Sequence, residues 1–349
     1  MFRRGDRIAE ILMSENDDVV GVPLPPLDEV ADLVVYDCRL HSRAIAALLD
    51  RIPKLESLTL IDGNSDEYDV CAIEDLESIL ANLGGLDSLV RLDIEFEHCL
   101  VNGSRLSCLR GMHRLEHLRL RGFDLSDGIA NVACLGSLKS LHLCHGNANA
   151  SPSNDVDESH WLSFSGMLAK LSHLHLEGFD DLSHSGLQAF FDIPSSIRTL
   201  VLRHCQKVDE DCLSIFGQSI QLTGLHIVHG PCDEATAFGS ESLRHLNALS
   251  RLRSLSLFYV LKNTSDLWVL RGLTSLEYLN IAIANDGGID YSANHWRELC
   301  RSCIVPTFPS LRRFRIFLED CIVAARTCRY GRLDVEFASY DHEKLAFLH

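Results

Sequence analysis

Twelve times along the chain, apolar residues recur at a step of three followed by a step of two, as at Ile197, Leu200 and Leu202 in SIRTLVLRHC. A helix favours steps of three and four, and a lone strand favours steps of two, so the mixed spacing belongs to neither alone. The copies begin at Val30, Leu55, Leu89, Leu115, Leu138, Leu171, Ile197, Leu222, Leu252, Leu276, Leu311 and, in degenerate form, Tyr330, 19 to 35 residues apart. A motif recurring at such a period is the signature of a solenoid. Each unit is too small to bury its own apolar face and is completed by its neighbours.

The spacing resembles the consensus L-x-x-L-x-L-x-x-N/C-x-L of the leucine-rich-repeat superfamily, and the match runs over nearly everything from Val30 to the C-terminal end. The segment IRTLVLRHCQKVDEDCLSIF looks like the cysteine-containing subclass found in ribonuclease-inhibitor-like and F-box-associated arrays. The ninth position departs from that subclass: it is Cys at Cys38 and Cys205, but Gly63, Gly146, Gly230, Phe123 or Phe179 elsewhere. The resemblance implies an α/β horseshoe of about twelve repeats. Its parallel sheet would line the concave side and its mostly helical returns the convex side.

The residues give the same picture. In the L-x-L portion, Leu200 and Leu202 alternate into a core that Ile197 also enters, and Cys205 is small enough to turn the chain at a buried corner. In DEDCLSIFGQSI the acidic start, followed by Leu213, Phe216 and Ile220, reads as a returning helix. DLESILANLGGL and SHSGLQAFFDI agree, while the short copy from Leu115 leaves room for only a helical turn or two. Residues 1–29, with Ile8, Ile11 and Leu12 at helical spacing, are expected to cap the N-terminal end. Residues 30–349 form the array, with DHEKLAFLH covering its other end. Three extra stretches, at 62–75, 145–161 and 284–296, should leave from one rim of the sheet.

A chain of 349 residues with 46% hydrophobic and 23% charged residues can bury a large core. Its net charge of −17 argues against sequence-independent nucleic-acid binding and against anionic membrane surfaces. No apolar run reaches spanning length, and Asp6 and Glu10 interrupt any signal-like start. An odd count of 13 cysteines suggests reduced thiols in the cytoplasm. There is no G-x-x-x-x-G-K-[ST], G-x-S-x-G or H-E-x-x-H, so no enzyme and no cofactor is expected. Cys300 and Cys303, with Cys321 and Cys328 downstream, lack the second paired unit of a zinc site, and over 296–303 they read as core-facing residues of a helix.

Counted from the first leucine, the third, fifth, seventh and eighth positions should face the concave side. The first three copies place Asp32, Asp37, Asp62, Asp93 and Glu95 there. The next five place His117, Arg119, Arg121, His142, His145, His173, His175, Arg203, His204, His226 and His229. The last four place Phe258, Tyr259, Tyr278, Ile283, Phe317 and Phe337. Neighbouring strands lie about 4.8 Å apart, so His142 with His175, and His204 with His229, should form close pairs. Three readings of the histidine patch stay open: duplicated filler, a recognition face for an acidic protein surface with the arginines as fixed charges, or a metal site for which no supporting carboxylate is evident. The aromatic third reads as a partner patch, or else as residues covered by the cap or the 284–296 stretch. The functional expectation is non-catalytic protein binding. The alternatives are the substrate-receptor portion of an F-box-type ubiquitin ligase, for which residues 1–29 are too short to hold the F-box helices, and a regulator of an enzyme such as a GTPase.

Overall fold

The computed structural model describes residues 8–12, 30–36, 49–50, 52–62, 79, 83–96, 101–126, 128–145, 161, 164, 170–191, 196–229, 238–258, 261, 264–283, 298–318, 326–330 and 332–339. The chain divides into two compact units, Met1–Phe179 with Ile193–Ser196, and Asp180–Asp192 with Ile197–His349.

All twelve sequence copies yield a strand. The first unit holds β1 (Ile8–Leu12), β2 (Asp32–Tyr36), β3 (Ser57–Asp62), β4 (Arg91–Phe96), the two-residue β5 (Val101–Asn102), β6 (His117–Asp124), β7 (Ser140–His145) and β8 (His173–Glu177). They pair in parallel in chain order, except that β5 lies off the path beside β6. The register keeps equivalent repeat positions side by side: Leu58, Leu92, Leu118, Leu141 and Leu174 form one buried row, and Leu60, Ile94, Leu120, Leu143 and Leu176 the next. These rows are the core that no single repeat could bury.

One sequence expectation fails here. Ile8, Ile11 and Leu12 do not form a helix; β1 is a strand running parallel to β2, from Ile8 opposite Asp32 to Leu12 opposite Tyr36. The edge of a sheet presents a row of backbone donors and acceptors, and another strand satisfies them where a helix cannot.

The second unit holds β9 (Thr199–Arg203), β10 (Gly224–Val228), β11 (Ser254–Phe258), β12 (Tyr278–Ile283), β13 (Arg313–Leu318), β14 (Arg326–Tyr330) and β15 (Leu333–Ser339). β9 to β13 are parallel in order; β15 continues in parallel on β13, and β14 closes antiparallel on β15.

The returns are short. In the first unit a 3₁₀ stretch spans Gly103–Gly111 and a single helical turn, α1, spans Ile129–Val132, as the brevity of the Leu115 copy requires. In the second unit α2 (His184–Phe191) buries Leu187 and Phe190, and Phe191 meets Phe216 of α3 (Cys212–Gln218) edge-on at 6.2 Å. The Asp209 side chain accepts from the Asp211 and Cys212 amides and starts α3. Ile220 breaks the expected helical series: the helix ends at Ser219 and Ile220 is exposed. Cys300–Ile304 is a π-helical turn with Cys300 buried, and burial raises the Cys303 thiol. Among the described residues no helix is long and apolar enough to cross a membrane. The stretches 63–75, 146–160 and 284–296, Cys38, Cys321 and the DHEKLAFLH tail lie outside the described residues.

Candidate recognition surface

In the first unit the residues between the core rows line up across the open sheet face in two registered rows. One runs Asp93, Arg119, His142, His175; the other runs Glu95, Arg121, Cys144, Glu177. Arg119 bridges both carboxylates, Asp93 at 3.7 Å and Glu95 at 3.2 Å, while Arg121 donates to Glu95 at 3.0 Å. Burial raises the Asp93 carboxyl; the Arg119 charge opposes that shift and Glu95 adds to it. Burial also works against the charge on Arg121, but Cys144, Glu177 and Glu95 around it more than offset this, so its guanidinium is held charged more firmly.

The predicted His142–His175 pair is present, with rings stacked at a centroid separation of 3.7 Å and 10° between planes. Glu177, which the sequence reading passed over, faces both: its Oε2 lies 3.9 Å from His142 Nε2 and 3.7 Å from His175 Nε2. Either imidazole, once protonated, becomes an ion-pair partner for that carboxylate. His117 and the exposed His173 flank the rows on β6 and β8. His117 is pushed below the usual imidazole range, first by burial and then by Arg91.

His142, His175 and Glu177 each offer one donor atom, all within 4.8 Å of one another. Pairs of tetrahedral zinc ligands stand about 3.4 Å apart, closer than the 3.9 and 3.7 Å between Glu177 and the two imidazoles. Parallel rings also cannot both aim an in-plane lone pair at one ion. Holding a metal would require a ring to turn.

Two predicted outward histidines point the other way. His145 is buried in line with Phe123; it accepts a hydrogen bond from the Leu125 amide at its Nδ1 and stacks on Phe179 at 5.2 Å. Phe179 in turn meets the buried Trp161 edge-on. His229 is 1% exposed and so is not on the open face. The cause is strand alternation. In β7 the inward series Leu141, Leu143 continues at His145, and in the β10 repeat Leu225, Ile227 continues at His229.

Gly122 (φ +82°), where β6 slips its register against β7, and Gly178 (φ +76°), just past β8, each add a residue, so that Phe123 and Phe179 take the inward place. His204 holds the equivalent left-handed conformation at φ +49°, ahead of the buried Cys205.

In the second unit Arg203 is half-buried, and His226 Nδ1 lies 2.7 Å from the Ser256 hydroxyl, which accepts from the Asn280 amide at 3.0 Å. The expected exposed aromatic patch is corrected as well. Phe258 is 1% exposed and packs on Phe317 at 5.1 Å, across the Ala282 that lies between them in register. Of that group, Tyr278 remains exposed, at 41%. Tyr259 and the side chains of Ile283 and Phe337 lie outside the described residues.

No protein-family model matches the sequence, and no curated protein matches it. Solved structures do match. A chain of the yeast Rad7–Elc1 complex superposes with a TM-score of 0.51 at 18% identity, covering 88% of this chain and 80% of that one. The leucine-rich repeat-containing protein LegL7 of Legionella pneumophila gives 0.47 at 18% identity, over 86% of this chain and 100% of that one. An internalin of Listeria monocytogenes gives 0.46 at 17%, over 84% and 76%. The fold is a leucine-rich-repeat fold: one parallel strand per repeat, an apolar interior of stacked leucines and short helical returns.

Proposed function

We propose that this chain is a non-catalytic recognition module and that the open face of β4, β6, β7 and β8 receives a protein with an acidic surface. The observation that carries this reading is the registered pair of rows. The rows set Arg119 and Arg121 against Asp93, Glu95 and Glu177, the flanking Arg91 brings the fixed charges level, and four imidazoles, His142 and His175 in a row with His117 and His173 beside it, share the face. Each proton taken up tips the surface toward positive charge, so affinity for an acidic partner rises as pH falls from about 7.5 to 6. His117, depressed by burial and by Arg91, takes up its proton at lower pH than an ordinary imidazole. The similarity to a chain solved within the Rad7–Elc1 complex supports a role inside an assembly.

The test is affinity capture with cross-link mapping, using wild type and an Arg119→Gln/His142→Ala variant whose folding is checked by its melting curve. The expected result is an acidic-surfaced partner cross-linked to the open face, held about tenfold less tightly by the variant. Equal capture by both chains, or an affinity flat across that pH window, refutes the reading.

A further inference from the structure

The second unit contains a groove of about 560 Å³ at the N-terminal ends of its strands, lined by Arg251, Arg253, Arg312 and Arg332 around Glu277. Four guanidiniums facing one carboxylate stand out in a chain with a net charge of −17. Register explains the gathering. The Glu277 amide donates to the Arg253 carbonyl and the Arg312 amide to the Glu277 carbonyl, so these three residues occupy one position in successive repeats. Glu277 is the less exposed member; its Oε1 lies 3.7 Å from Arg253 and its Oε2 3.5 Å from Arg312. Two guanidiniums therefore already converge on an oxyanion of the protein's own. Arg251 and Arg332 make no ion pair among the described residues.

Two of the other polar groups are already engaged as donors. The Thr223 hydroxyl donates to the Arg198 carbonyl and the Ser310 hydroxyl to the Thr274 carbonyl. That leaves the Ser275 hydroxyl and the four guanidiniums, and the planar forks of the latter match phosphate oxygens two at a time. The volume falls within the range of small-molecule sites, whereas the lining is far more charged than such sites usually are.

We propose that this groove binds a small phosphate-bearing metabolite through two adjacent phosphoryl groups, with Arg253 and Arg312 at the centre and Arg251 and Arg332 clamping from either side. Leu311 and Pro309 give little purchase for a large apolar moiety, so the diphosphate end supplies the recognition. The site is separate from the histidine face of the first unit, and the two proposals stand or fall independently.

Inorganic pyrophosphate is the probe, titrated calorimetrically into the whole chain at about 0.15 M salt, with sulfate as the single-anion comparator. Saturable pyrophosphate binding, stronger than sulfate binding and weakened about tenfold or more by Arg251→Ala/Arg332→Ala, is the expected result. Arg301→Ala, an exposed charge outside the groove, should leave the affinity unchanged. Glu277→Gln, which removes the competing carboxylate, should raise it several-fold; a diffuse charge effect would not give both responses. The proposal is overturned if pyrophosphate does not saturate, if Arg301→Ala weakens binding as much as the double variant does, or if a doubly phosphorylated peptide binds more tightly than pyrophosphate.

Discussion

Gly178→Ala tests the geometry that separates the open face from the core. Gly178 follows β8 at φ +76°, where an L-residue pays about 1–2 kcal/mol for a left-handed backbone. A Cβ there would also lie 2.5 Å from the carbonyl oxygen of His145, a contact with backbone that no rotamer can relieve. Either β7 or β8 must shift, and because Gly178 links Glu177 on the open face to Phe179 in the core, both sides feel it. Adding the conformational cost to a steric penalty of similar size gives a loss of about 2–4 kcal/mol. His204 makes the complementary case. It holds the same kind of position without being glycine, so His204→Gly gains about 1 kcal/mol in the folded state and loses about as much to the freer unfolded chain. Its backbone contributions therefore nearly cancel, and any net loss reads out the contacts of the imidazole itself. Urea midpoints give the first reading, and amide exchange across β7 and β8 gives a local one, which matters because repeat arrays need not unfold in one step. If Gly178→Ala costs less than about 1 kcal/mol and leaves β8 exchange unchanged, the added residue is not what sets the inward and outward positions.

Glu95→Gln removes the carboxylate shared by Arg119 and Arg121 and leaves two half-buried guanidiniums short of a partner, so chemical denaturation should show a loss of about 1–3 kcal/mol. His117 is held below the ordinary imidazole value, so the native state takes up that proton less readily than the unfolded chain does. Its contribution is intact above the unfolded value near 6.5 and is lost as pH falls toward the native one; His117→Gln should flatten the urea midpoint over that interval, and an unchanged slope would contradict the assignment. Ser256→Ala strands the Asn280 amide and unpins His226, at a cost of about 1–3 kcal/mol in thermal or urea unfolding. Cys108 and Cys212, raised to about 11 and about 12 by burial, should resist a thiol reagent near neutral pH until the chain unfolds, and rapid labelling of the native protein would contradict that.

The fold was legible because its signal is redundant. The L-x-L core repeats in every copy, and a misread unit is corrected by its neighbours. The open face carries no such redundancy, and its errors share one physical cause. Counting both the seventh and the eighth positions as outward holds only where a residue is added after the strand, as at RGF (Arg121 to Phe123), EGF (Glu177 to Phe179) and RHC (Arg203 to Cys205). Where no residue is added, strict alternation turns the eighth side chain inward, as it does Phe96, His145 and His229. The ninth residue separates the two cases: it is Phe123, Phe179 or Cys205, all buried, in the first set, and Glu97, Gly146 or Gly230 in the second. Applied to the whole array, that distinction would have moved His145 and His229 to the core; Cys144 and Glu177 already sat at the outward seventh position. The seventh position is what builds the charged row from Glu95 to Glu177. What no pattern could supply is the shielding of Phe258: alternation sends it outward, but its ring packs at a 52° tilt against Phe317, and only the spacing between strands two repeats apart decides that the pair hides its own surface.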